Sequence, residues 1–138
     1  MDNVKLNGKK ILCIEDESFI SELYARALRR AGYDVTTLIS GIDGLRAAQS
    51  NEYDIILLDL MIPGMTGFEV LRQLRSRPDK LKAKILITTN LDQTEDSKDE
   101  LESMADGYLI KAEFTPRQLV NIINDIAAGN QPSDNYNN

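Results

Sequence analysis

The chain has 138 residues, a formal net charge of −6 and 42% hydrophobic residues, which is typical of one acidic domain with a hydrophobic core. It contains no histidine and one cysteine, so Ser-His catalysis, Cys-His catalysis and an intrachain disulfide are excluded. The acidic balance argues against nucleic acid as the main partner. No stretch approaches the ~20 apolar residues of a membrane span, and we predict a soluble, cytoplasmic protein without membrane insertion.

Five short apolar segments alternate with longer helical patterns along the chain. The predicted strands are 10–14, 34–38, 54–58, 84–88 and 107–110. Apolar residues at helical spacing predict helices over 18–31, 41–51, 67–76 and 92–106, and a last helix beginning at 116. Strands that alternate with helices indicate an α/β fold, a doubly wound parallel sheet of five strands with helices on both faces.

The helix ends carry recognisable signals. Gly32 ends the first helix, and Ser40 and Thr66 are predicted to cap the second and third. Thr115 precedes a proline and has a glutamine three positions on, which is a good start for the last helix. The segment 92–106 has seven acidic residues against one lysine, and we expect its helix to be the least firmly held.

Domain boundaries follow from the same pattern. Residues 1–9 are predicted to be an N-terminal extension that leads into the first strand, and 10–129 a single domain. The polar segment 130–138 is predicted to be a disordered tail.

Three carboxylates follow two of the predicted strands directly. Asp59 comes after the third apolar run, and Glu15 and Asp16 come after the first. In open α/β sheets, ligands bind outside the carboxyl ends of the strands. If these two strands are neighbours, three acids meet there, and a divalent cation is the simplest way to offset their repulsion. Oxygen ligands alone suit Mg²⁺. Unrelated, solvated acids explain any one of these residues equally well, but not three at matching strand ends.

Complementary groups follow two more of the predicted strands. Thr88 and Thr89 end the fourth run, and Lys111 follows the fifth. A lysine and a hydroxyl at the same edge can hold phosphoryl oxygens. Each residue alone is also typical of an ordinary surface or packing position, so their common placement at strand ends carries the argument.

Cys13 lies inside an apolar run and is predicted to be a buried structural thiol.

Four motifs together resemble the receiver domain of response regulators in two-component signalling, over about residues 8–129. They are ILCIEDE at 11–17, LLDLMIPGMTGFE at 57–69, the threonine after ILIT at 89, and YLIK at 108–111. The resemblance implies a flavodoxin-like sheet in the strand order 2-1-3-4-5. It also implies Mg²⁺-dependent transfer of a phosphoryl group to Asp59 from a phosphohistidine on a histidine kinase or histidine phosphotransfer protein.

The resemblance further assigns roles to individual positions. The implied metal ligands are Asp16, Asp59, the backbone carbonyl of Met61, and Glu15 through a water molecule. The implied phosphoryl contacts are Lys111, Thr89 and the backbone N–H of Asn90. A protein of this kind is a phosphoacceptor that catalyses only its own phosphorylation and dephosphorylation.

The resemblance implies a switch as well. Movement of Thr89 toward the phosphoryl group would let the ring of Tyr108 turn inward. The surface formed by the fourth helix, fifth strand and fifth helix would then change, and an unidentified downstream protein would bind there. The acidic fourth helix is compatible with a partner that carries a basic patch.

Several positions depart from the common family pattern. Ala112 follows Lys111 where a proline with a cis bond is usual, and a cis bond before a non-proline residue costs roughly 3 kcal/mol, so the isomer stays open. Asn90 replaces a smaller residue. Met61 and Leu91 flank the phosphoryl position, and because both are apolar, neither can orient an attacking water. We therefore predict slow self-dephosphorylation.

Other functions remain open at this point. One alternative is a pseudo-receiver, a binding module that works without phosphorylation. A second is an aspartyl phosphatase of the haloacid dehalogenase type, although position 61 lacks the second aspartate such enzymes carry. A flavodoxin would need a phosphate loop after the first strand.

No output segment follows residue 129, so we expect a stand-alone receiver, with a receiver excised from a longer protein as the alternative. The basic stretch 72–84 is predicted to be a solvated loop rather than a docking patch.

Overall fold

The computed structural model describes residues 8–90 and 95–130. Within them, one parallel sheet has the strand order β2-β1-β3-β4-β5. Its strands are β1 Lys10–Ile14, β2 Asp34–Leu38, β3 Ile55–Leu58, β4 Lys84–Thr89 and β5 Gly107–Ile110. The predicted fold class and strand order are confirmed. Asp54 was predicted to begin β3 but precedes it, and its carboxylate accepts a hydrogen bond from the Lys10 N–H at 2.8 Å.

Five α-helices connect and follow the strands. They are α1 Ser18–Arg30, α2 Gly41–Ala48, α3 Gly67–Arg75, α4 Glu95–Met104 and α5 Pro116–Ala127. The helices α1, α2 and α3 are one to three residues shorter than predicted, and α4 ends two residues before its predicted end. A short 3₁₀ turn, Lys111–Glu113, lies between β5 and α5.

The predicted helix caps are present. The Ser40 and Thr66 hydroxyls accept hydrogen bonds from backbone N–H groups three residues on, at 3.1 and 3.2 Å. Thr115 and Gln118 form a reciprocal capping box. Gly32 follows α1 with a φ of 101°, a backbone conformation that only glycine adopts readily. These local signals fix where α2, α3 and α5 begin and where α1 ends.

Two hydrophobic layers cover the sheet, one on each face. The first packs α1 and α5 against β1 residues such as Ile11 and Cys13. The second packs α2, α3 and α4 against the alternate β1 residues, Leu12 and Ile14, as expected for a strand whose side chains point to opposite faces. Cys13 is 1% exposed, so the prediction of a buried thiol is confirmed, and burial raises its pKa to about 12.

The acidic helix α4 docks through the residues predicted for it. Leu101 is fully buried, and Met104 and Ala105 pack against the same core layer. Two arginines of the basic stretch 72–84 lie on α3 and contact α4. Arg72 forms an ion pair with Glu100 at 3.3 Å, and Arg75 donates a hydrogen bond to the Met104 carbonyl at 2.6 Å. Among the described residues, no helix is both long and apolar enough to cross a membrane.

Candidate functional site

The strand register brings the candidate residues to one edge of the sheet. In adjacent strands, Ile14 pairs with Leu58, Leu58 with Ile87, and Thr89 with Ile110. The residues that follow β1, β3 and β5 therefore emerge side by side at the carboxyl end of the sheet. The ladder continues one step past the strands, because the N–H of residue 59 donates to the carbonyl of residue 14 at 3.1 Å.

The three predicted acids meet at this edge. Glu15, Asp16 and Asp59 each offer a carboxylate oxygen, and these oxygens lie within 4.8 Å of one another. Glu15 and Asp59 are buried, at 1% and 4% exposure, whereas Asp16 is exposed. Clustered carboxylate oxygens are the donors that hard divalent cations such as Mg²⁺ prefer. The residues present therefore fit such an ion.

Lys111 compensates the buried acids. Its ammonium donates to Asp59 Oδ2 at 2.8 Å and forms an ion pair with Glu15 Oε1. Burial disfavours the charged amine, but the hydrogen bonds to Asp59 and Glu15 outweigh it, so the pKa of Lys111 is raised. For Glu15, burial raises the pKa of the carboxyl group, and the hydrogen bond with Lys111 offsets part of this increase. The carboxylate at the exit of the most apolar strand is tolerated because a cation lies beside it.

An open pocket of about 230 Å³ gives solvent access to this group. The residues that line it are Asp16, Glu17, Asp59, Met61, Asn90 and Lys111. The Met61 N–H donates to Asp59 Oδ1 at 3.1 Å, so each oxygen of Asp59 is oriented by a donor. The Met61 side chain is 60% exposed. A carboxylate held in this way, facing an open pocket, is placed to react with a molecule that enters from solvent.

The remaining predicted residues surround the pocket at different depths. Thr89 is fully buried at the end of β4, and Asn90 is exposed and lines the pocket. Tyr108 lies on β5 opposite Ile87, partly buried against the core layer that contains α4. No cis peptide bond occurs among the described residues, so the bond between Lys111 and its successor is trans. Leu91, predicted to flank the phosphoryl position, lies outside the described residues.

Two residues with a part in this site were not predicted. Glu17 lines the pocket, and its Oε1 lies 3.9 Å from Lys111 Nζ. Gly67 begins α3 against the strand end: a Cβ on it would lie 2.1 Å from the Asp59 carbonyl oxygen. The available signals were weak, namely a third acid directly after the Glu15 pair and a glycine at the first position of a helix.

The comparisons with known proteins agree with the geometry. Residues 11–124 match the family described as the response regulator receiver domain. The chain is 41% identical over 112 residues to the alkaline phosphatase synthesis transcriptional regulatory protein PhoP of Bacillus subtilis (strain 168), covering 81% of this chain and 45% of that protein. It is 39% identical over 102 residues to the response regulator ArlR of Staphylococcus saprophyticus, covering 74% of this chain and 45% of that protein. The chain thus spans less than half the length of these curated relatives.

Solved structures show the same fold. The receiver domain of the Francisella response regulator 1452 superposes with a TM-score of 0.78 at 28% identity, covering 88% of this chain and 98% of that one. A CheY-like response regulator receiver domain protein from Methanospirillum hungatei JF-1 gives a TM-score of 0.76 at 27% identity, covering 88% and 94%.

Proposed function

Because this chain belongs to the response regulator receiver domain family of two-component signalling, we propose that it accepts a phosphoryl group on Asp59. The observation that carries the proposal is the environment of that carboxylate. Asp59 is 4% exposed, is held by Lys111 and the Met61 N–H, and faces the open pocket. A purely structural buried acid would not need an opening to solvent at its oxygens.

The reaction is an in-line phosphoryl transfer. An Asp59 carboxylate oxygen attacks the phosphorus of a phosphohistidine, a new O–P bond forms, and the P–N bond breaks with its electron pair leaving on the imidazole. Such transfer needs mainly positioning and charge neutralisation. The chain contains no histidine, so the donor imidazole belongs to a partner, a histidine kinase or a histidine phosphotransfer protein.

The acid cluster is the proposed Mg²⁺ site. Asp16, Asp59 and the backbone carbonyl of Met61 would bind the ion directly, and Glu15 would act through a water molecule. When bound, the ion neutralises the negative charge that the acids and the incoming phosphoryl oxygens bring together. The contact between Glu15 and Lys111 supports an outer position for Glu15, because its carboxylate already has a cationic partner.

Lys111, Thr89 and the Asn90 N–H are the proposed contacts of the phosphoryl group. Lys111 already touches the acceptor oxygen, and Asn90 lines the pocket. Thr89 and Tyr108 would carry the phosphorylation signal to the surface of α4, β5 and α5, where a downstream protein would bind. Hydrogen exchange of the phosphorylated and unphosphorylated chain should then differ at β5 and at the described part of α4.

Labelling with a small phosphodonor tests the proposal. We expect incubation with acetyl phosphate and Mg²⁺ to add one phosphoryl group, seen by intact mass. Asp59→Asn should abolish the adduct, whereas Asp99→Asn, at an exposed position of α4, should label like the unsubstituted chain. Failure of the unsubstituted chain to label would favour the pseudo-receiver, and labelling that persists in Asp59→Asn would overturn the assignment of the acceptor.

The exposed Met61 side chain supports the prediction of slow self-dephosphorylation. An apolar group at the rim of the pocket cannot orient the attacking water. We expect Met61→Asn to shorten the lifetime of the phosphorylated chain. Intact mass measures this lifetime as the loss of the phosphoryl adduct after the donor is removed. An unchanged lifetime would contradict this role.

A further inference from the structure

Glu17 occupies a helix-capping position but does not cap its helix. It is the N-cap residue of α1, with extended backbone angles of −83° and 103°, and its side chain accepts no capping hydrogen bond. Its N–H donates to Glu15 Oε2 at 3.1 Å. N-cap positions favour short side chains that accept from the first turn, so local helix stability does not explain a glutamate here.

The Glu17 side chain instead faces the pocket. Its Oε1 lies 3.9 Å from Lys111 Nζ, and it lines the pocket while staying 58% exposed. Lys111 therefore has three carboxylates around one ammonium: Glu15 and Asp59 in direct contact, and Glu17 at the rim. Any phosphoryl group on Asp59 would share Lys111 with Glu17.

The charge of the pocket makes Glu17 consequential. The three carboxylates around Lys111 and that of Asp16, which clusters with Glu15 and Asp59, give with the one ammonium a formal charge of −3. A bound divalent cation leaves −1, and without the charge of Glu17 the loaded pocket would be neutral. Whether the metal-loaded pocket is negative or neutral therefore depends on this one residue at its rim.

We propose that Glu17 is a specificity-determining residue of the phosphoacceptor pocket, which strengthens binding of the divalent cation and disfavours small, free phosphodonors in proportion to their negative charge. This inference rests on the proposed function of Asp59. Donors that reach the pocket on a docked protein are held by contacts elsewhere, so the rim charge selects against dissolved acyl phosphates.

Two donors of different charge test the proposal in the Glu17→Gln variant. Acetyl phosphate is a dianion at neutral pH, and phosphoramidate is a monoanion. At saturating Mg²⁺ and low ionic strength, we expect the variant to label about 3–10-fold faster with acetyl phosphate. The increase with phosphoramidate should be about the square root of that factor, and both should shrink with added salt. Glu22→Gln, an exposed glutamate one turn along α1, is the matched control and should leave both rates unchanged.

Metal binding gives a second readout that needs no donor. Isothermal titration calorimetry should show weaker Mg²⁺ binding by Glu17→Gln, by about 3–10-fold, and unchanged binding by Glu22→Gln. An unchanged acetyl phosphate rate, or an equal increase with both donors, would overturn the proposal, as would unchanged Mg²⁺ affinity. If the unsubstituted chain labels with neither donor, the proposed function fails, and the calorimetric comparison still tests Glu17 independently.

Discussion

Lys111 lies between two buried carboxylates, with its own side chain 6% exposed. Replacing it by methionine keeps the aliphatic stem but leaves Glu15 and Asp59 facing each other without a cation. Removing one partner of a buried ion pair is strongly destabilising, so Lys111→Met should lower the free energy of unfolding in metal-free buffer by about 3 kcal/mol. Urea unfolding followed by circular dichroism measures this change.

The control for this substitution is Lys84→Met. Lys84 is an exposed lysine at the first residue of β4, and its loss should change the free energy of unfolding by less than about 0.5 kcal/mol. Equal unfolding midpoints for the Lys111 and Lys84 variants would contradict the inference that Lys111 offsets the buried acids.

Gly67 packs against the backbone of Asp59, the proposed acceptor. An alanine Cβ there would lie 2.1 Å from the Asp59 carbonyl oxygen and 2.8 Å from Leu60 Cα, so the start of α3 or the end of β3 must move. We expect Gly67→Ala to cost about 2 kcal/mol of stability and to slow labelling of Asp59, measured by urea unfolding and intact mass.

Gly129 offers the contrast. It has a φ of 88°, but a Cβ on it would meet no atom within 4 Å. Gly129→Ala should therefore cost about 1 kcal/mol through backbone strain alone and leave the labelling rate unchanged. Slower labelling in both variants would show that the effect of Gly67 is not specific to the strand end.

The sequence predicted some residues of the site and not others for a physical reason. Asp59 and Lys111 could be predicted because each directly follows a recognisable strand, and the carboxyl ends of parallel strands lie at one edge of the sheet. The Gly67 constraint is a distance between backbone segments that no local pattern encodes. The Glu17 contact depends on the direction that its side chain takes across the pocket toward Lys111.

At the scale of elements, α3 and α4 are joined by an arginine. Arg75 donates from Nε to the Met104 carbonyl at 2.6 Å and from Nη2 to Asp106 Oδ2 at 2.9 Å. Asp106 also exchanges hydrogen bonds with Ile85 of β4. The C-terminal end of α4 is therefore held to both a helix and a strand.

Cutting this connection should loosen α4 at one end. We expect Arg75→Ala to lower the local opening free energy there by about 1 kcal/mol, equivalent to about fivefold faster hydrogen exchange at the amides of Ala105 and Asp106. Arg117→Ala, at an exposed position of α5, is the control and should leave these amides unchanged. Unaltered exchange in Arg75→Ala would contradict the role of this contact.

The limits of the helices were predicted less well than their existence. The caps at Ser40, Thr66 and Thr115 were read from single residues, because a capping side chain acts on N–H groups only two or three positions away. Apart from Gly32 after α1, the C-terminal ends lack comparable signals, and the predicted ends of α2 and α3 lie beyond the observed ones. The register of α4 was still predictable, because Leu101 is a rare apolar residue in an acidic segment.

At the scale of the whole molecule, the fold class follows from hydrophobic pattern alone. Continuous apolar runs in β1 and β3 require cover on both faces, and the two core layers supply it. The strand order is a non-local property, which the periodicity does not specify. It was predicted only through the resemblance of four motifs to a family whose order is known.

The acid cluster predicts that divalent cations stabilise this fold. A ligand that binds only the folded chain raises the free energy of unfolding, by about 1.4 kcal/mol at ten times its dissociation constant. We expect Mg²⁺ to stabilise the protein in this way relative to NaCl of equal ionic strength, because the folded chain holds Glu15, Asp16 and Asp59 within 4.8 Å and the unfolded chain does not. Urea unfolding in the two buffers measures the difference.

Asp16→Asn separates metal binding from the other contributions to stability. Asp16 is exposed, so its substitution should change the metal-free stability by less than about 0.5 kcal/mol. It should nevertheless remove most of the Mg²⁺-dependent gain, because it takes away one of the two carboxylates proposed to bind the ion directly and one unit of negative charge. A gain that survives in Asp16→Asn would mean that Mg²⁺ acts by general screening of the acidic chain, and the acid cluster would not be its binding site.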